Sequence, residues 1–244
     1  PRVSTTIVVL ARHTARWMLR DAGWRVLAAL GALNVAVQAW RAARGGGDAT
    51  VLALDTLVVH ARLFLILLAT IYAGELLWRE EEQRSAPLLD ALPVRRWATT
   101  VGGLAGVIAA QLVLVALLAS VAAMATVAAG ARSPNAGAFA VGVAAWIAAP
   151  FVAWMLLSWA VHVVVRHKVA AHFACIAAWV VAITVHDAMR DVALWRAFTL
   201  PPIVPLDAVR DALPFHRAVR AAGAWLAAGI VALLLVLPRA TRRR

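Results

Sequence analysis

The feature that most constrains this chain is a succession of six long apolar blocks, each closed by charged residues or by a Pro/Gly-containing break. A hydrocarbon core about 30 Å thick needs about 20 helical residues at about 1.5 Å each. The blocks fall at about 24–40, 58–78, 99–129, 139–165, 169–185 and 218–237. They predict an all-α, polytopic membrane protein with six transmembrane helices in one transmembrane domain, 1–244. Composition agrees: 64% of the 244 residues are hydrophobic and 15% are charged, where soluble domains keep about 25% charged.

The net charge of +12 does not point to nucleic acid, because the basic residues sit at block ends rather than along one aromatic-studded face. Counting Arg and Lys by loop gives fifteen in the N-terminal tail, the 79–97 loop, the 166–168 turn and the C-terminus. The opposite side has eight: Arg41, Arg44, Arg132, four in the long 188–217 segment, and Arg220 just beyond it. The positive-inside rule therefore predicts that both termini are cytoplasmic, and the expected location is a bacterial inner membrane. Residues 1–21 mix Arg2, Arg12, Arg16 and Arg20 with Ile7, Val8, Leu10, Trp17, Met18 and Leu19, a pattern suited to an interfacial helix on the inner surface. Trp24, Trp40, Trp78 and Trp97 stand at block edges and read as interfacial anchors. Pro150 predicts a kink in the fourth span. The lone Cys175 lies inside an apolar block and says nothing about disulfides or redox compartment. No compact apolar leader opens the chain, and Pro1 in place of Met suggests part of a longer polypeptide.

Ionisable residues at membrane depth need individual explanations. Asp55, His60 and Arg62 read as a polar cluster near the outer rim. Glu75 and Arg79 have the acid-before-base i,i+4 spacing of a helix pair at the boundary of span 2. His162 precedes Arg166 by four residues and His172 follows Lys168 by four, so the turn sets both imidazoles at similar depth on antiparallel helices. Two such histidines can ligate haem or a metal, but no third ligand accompanies them at ligand spacing. No cofactor or metal is expected.

Tyr72–Trp97 reads YAGELLWREEEQRSAPLLDALPVRRW. Ser85 can cap a short helix that tolerates Pro87 in its first turn and ends at Pro93, with Leu88, Leu89 and Leu92 on one face. So short an apolar face must dock on membrane or on a partner.

Gly74-Glu75-Leu76 with Trp78-Arg79-Glu80, followed by Asp90-Ala91-Leu92-Pro93-Val94, resembles the type-2 ABC (ATP-binding cassette) transporter permeases. More narrowly, Tyr72–Val94 and the basic turn with Val169–His172 look like the second membrane half of bacterial permeases fused to a zinc aminopeptidase. The resemblance implies a membrane subunit of an exporter that pairs with a second six-span unit and binds a cytoplasmic ATP-binding cassette subunit. Segment 79–97 would be its coupling helix, with Glu80, Glu81, Arg84, Leu88, Leu89, Asp90 and Leu92 against the ATPase. Neither a His-Glu-x-x-His motif nor a phosphate-binding Gly-rich loop occurs in these residues, so ATP hydrolysis would belong to the partner and the chain is not expected to be an enzyme. Two other readings stay open from the residues: an accessory subunit of a larger membrane complex, and a haem- or metal-binding protein using His162 and His172.

Overall fold

The computed structural model describes residues 3–82, 96–165, 167–188 and 215–242, and every regular element among them is a helix. Helix α1, Val3–Arg20, is separated from α2, Ala22–Arg44, by Asp21. The extended backbone of Asp21 ends one helix, and its carboxylate caps the next by accepting the Trp24 N–H at 3.1 Å. Gly46 and Gly47, both at positive φ, turn the chain. Asp48 then caps α3, Ala49–Thr56, by accepting from Thr50 N and Val51 N. A π-helical turn, Leu57–Ala61, joins α3 to α4, Arg62–Glu82. The predicted second span thus begins about nine residues earlier than its apolar block.

Helix α5, Arg96–Ala128, leads through a turn to α6, Ala136–Gly142, capped by Asn135. A second π-helical stretch, Val143–Ala148, carries α6 into α7, Ala149–Val164. The disruption expected at Pro150 takes this form: Pro lacks an N–H, and the widened winding just before it absorbs the missing hydrogen bond. Helices α8, Lys168–Ala188, and α9, Phe215–Arg242, complete the described chain.

Among the described residues, four helical stretches are long and apolar enough to cross a membrane: Ala22–Arg44, Ala49–Arg79, Arg96–Ala128 and Ala136–Val164. Helices α8 and α9 stand where the fifth and sixth spans are predicted, and their apolar described stretches, Lys168–Ala182 and Leu226–Ala240, are shorter. Large apolar side chains cover the exterior, Leu33, Met124, Phe173 and Leu235 among them, each more than 60% exposed. Such an apolar exterior is compatible with a bilayer.

The core lies where α4, α5 and α7 meet, filled by Leu65, Leu68, Leu114, Leu118, Met155 and Trp159. Helix α1 packs along α5 more extensively than any other pair of helices meets. Gly102 and Gly106 make that approach possible. A Cβ at Gly102 would lie 2.8 Å from Leu10 Cβ, and one at Gly106 would lie 2.5 Å from the Ala11 carbonyl oxygen. This small-xxx-small seat lets two backbones close together. The side of α1 that carries Leu10, Thr14 and Met18 is therefore covered by protein, while Val8 and Val9 stay exposed. Amphipathicity requires a buried face but does not choose what buries it. Two of the four tryptophans expected as interfacial anchors are also internal: Trp24 and Trp78 are buried, whereas Trp40 and Trp97 are exposed.

Candidate functional site

Of the predicted coupling residues, Glu80 and Glu81 lie in the last turn of α4. Arg84, Leu88, Leu89, Asp90 and Leu92 lie outside the described residues. What the structure does describe is how α4 is held as it approaches them.

Gly74 is the centre of that grip. His162 on α7 and His172 on α8 meet above it, with His162 Nε2 3.4 Å from His172 Nδ1 and the rings edge to face at 4.6 Å. Each imidazole is fixed by its own helix. His162 Nδ1–H donates to the Ser158 carbonyl at 2.8 Å, and His172 Nδ1–H donates to the Lys168 carbonyl at 2.8 Å. A carbonyl can only accept, so both Nδ1 atoms carry hydrogen and His162 Nε2 offers a lone pair to its neighbour. The juxtaposition expected from the 166–168 turn is present. Its third member, Gly74, was not foreseen, because nothing in a helical Gly announces which helix leans on it.

Glu75 meets a different partner from the one its spacing predicts. Its carboxylate pairs with Lys168 Nζ at 2.7 Å, with the two side chains 27% and 33% exposed. Arg79 instead lies over the Trp17 ring, 4.2 Å from its centroid. The i,i+4 pairing is thus replaced by two tertiary contacts. An exposed intrahelical pair stabilises by only about 0.2–0.5 kcal/mol, so a neighbouring helix readily outcompetes it.

A polar column continues inward from the histidines. Trp154, Ser158 and His162 repeat every four residues on one face of α7, about 6 Å apart per step. Opposite them stand Thr70 and Gly74 on α4, and Lys168, His172 and Cys175 on α8. Trp154 Nε1–H donates to Thr70 Oγ1 at 3.2 Å, and Cys175 Sγ lies 4.0 Å from both the Ser158 carbonyl and His162 Nδ1. The buried Ser158 hydroxyl has no hydrogen-bond partner among the described residues.

Helix α1 grips α4 from the other side. The Tyr72 hydroxyl donates to the Asp21 carboxylate, and the Tyr72 ring meets Trp17 edge to face at 5.9 Å. The Tyr72 hydroxyl and the Trp24 N–H hold the Asp21 carboxyl below its ordinary value. Within ten residues, α4 therefore contacts α1 through Tyr72 and Arg79, α7 and α8 through Gly74, and α8 again through Glu75.

This arrangement holds protons and fixed hydrogen bonds. Among the described residues, no three His, Cys, Asp or Glu side chains come together as metal ligands. No family model matches the chain, and no curated protein matches it.

Proposed function

We propose that the chain is the membrane-spanning permease subunit of an ATP-driven ABC transporter, working as an exporter in a bacterial inner membrane. In this reading it has six spans, with both termini in the cytoplasm and α1 at the inner surface. A second six-span unit completes the path, and a cytoplasmic ATP-binding cassette subunit hydrolyses the nucleotide. The observation that supports it is the grip on Tyr72–Arg79. Helix α4 runs unbroken to Glu82, at the edge of the segment carrying Leu88 and Leu92, and is tied just before that edge to α1, α7 and α8. A push delivered at residues 83–95 would enter the bundle through α4 and be shared by those three helices, as rigid-body alternating access requires.

The test is co-purification of an ATPase subunit with the wild-type chain and with Leu88→Asp plus Leu92→Asp. The reading expects capture by the wild type and loss in the double variant. Full retention of ATPase and of coupled hydrolysis by the variant would refute it.

A further inference from the structure

Helix α1 has two faces, and protein covers one of them. Leu10 and Thr14 turn toward α5, which also meets the backbone of Ile7 and Ala11, and Met18 is fully buried. Arg12, Arg16 and Arg20 recur every four residues on the opposite, exposed side. Three guanidinium groups thus form a line about 12 Å long. Helix α1 contains no Asp or Glu, and none of the three arginines has an acidic partner among the described residues. The nearby Asp21 is engaged by Tyr72 and Trp24.

Depth along the bundle says what this line faces. Immediately beyond it, α2 presents Val26, Leu30, Leu33 and Val37 outward, an exposed apolar stripe suited to acyl chains. Gly102 of α5 meets Ile7 and Leu10, so the exposed Trp97 at the head of α5 lies beyond the other end of the line, and Trp17, between Arg16 and Arg20, lies under Arg79. Arginines between an acyl-facing stripe and aromatic residues sit at headgroup depth. We infer that the outward face of α1 is a binding surface for the phosphate groups of anionic phospholipids, with Arg12, Arg16 and Arg20 as its ligands. Guanidinium pairs with phosphate through parallel N–H donors, which a zwitterionic headgroup offsets with its own cation. The inference rests on the membrane reading of the chain and is independent of any ATPase partner.

The test is a thermal-shift titration of the purified full chain in neutral detergent, with phosphatidylglycerol, phosphatidylcholine or inorganic phosphate added. The wild type should bind phosphatidylglycerol at least about tenfold more tightly than phosphatidylcholine. Arg12→Gln, Arg16→Gln and Arg20→Gln together should remove that preference. The charge-matched variant Arg41→Gln, Arg44→Gln and Arg132→Gln should keep it. If the triple α1 variant purifies poorly, Arg12→Gln plus Arg16→Gln must at least halve the preference. An unchanged preference in the α1 variants, or equal loss in the charge-matched one, overturns the proposal. So does stabilisation by inorganic phosphate equal to that by the lipid, since the surface would then recognise the free ion. Loss of a protein partner by the α1 variant, with lipid preference intact, would reassign the face and overturn it too.

Discussion

Gly74 lies directly beneath His162: a Cβ at position 74 would stand 2.6 Å from His162 Nε2, and 2.9 Å from His172 Cε1. The three residues belong to three helices, so the contact is a point where α4, α7 and α8 must agree. Gly74→Ala should lower stability by about 1–3 kcal/mol through overpacking. Gly223→Ala, where a Cβ meets nothing within 4 Å, should change it little. Thermal unfolding of the purified variants in one detergent checks both. Equal behaviour of the two would show that the histidines do not press on Gly74.

The Glu75–Lys168 contact should give a double-mutant coupling of about 0.2–1 kcal/mol, because both side chains remain partly exposed. The corresponding Glu75–Arg79 cycle should give close to zero. Glu75→Lys combined with Lys168→Glu should recover part of what either substitution loses alone. A larger coupling to Arg79 than to Lys168 would restore the intrahelical pairing.

Tyr72→Phe removes the hydroxyl that donates to Asp21. Because that bond lowers the folded-state value of Asp21 below 3.8, its stabilisation is present above the unfolded value and is lost as pH falls through the folded one. The difference between wild type and variant should therefore be full at neutral pH and shrink in acid, below about pH 4. Unfolding curves of both proteins across this range give the comparison. A difference that grows on acidification would contradict it.

Gly106→Leu should unseat α1, since the Ala11 carbonyl oxygen and Thr14 Cβ lie within 2.7 Å of the added Cβ. Trypsin should then cleave at Arg12 and Arg16 faster in the variant than in the wild type. Equal cleavage rates would mean that α1 does not depend on this seat.

Apolar block length made the helices legible in the sequence, and most observed boundaries lie within a few residues of those expected. The meeting of His162 and His172 was legible too, because a tight turn between two helices fixes the relative depth of residues four positions to either side. The partner of Glu75 was not: i,i+4 spacing identifies what is within reach on one helix and is blind to Lys168 on another. Periodicity gave α1 a buried face without revealing that Gly102 and Gly106 receive it. The early start of α3 had a local signal in Asp48 followed by helix-compatible residues, masked by Asp55 and His60 interrupting the apolar run. The π-helical turns had a signal only at Pro150. A tryptophan at a block edge marks depth but not direction, so the burial of Trp24 and Trp78 required the neighbouring helices to be in place.

The proposed role requires Leu88 and Leu92, in the segment after α4, to dock on an ATP-hydrolysing subunit whose movement passes to the gripped end of α4. Photo-crosslinking from positions 88 and 92 in native membranes tests this most directly. The expected result is covalent adducts to a subunit that binds ATP, formed from both positions. Adducts to lipid alone would contradict it.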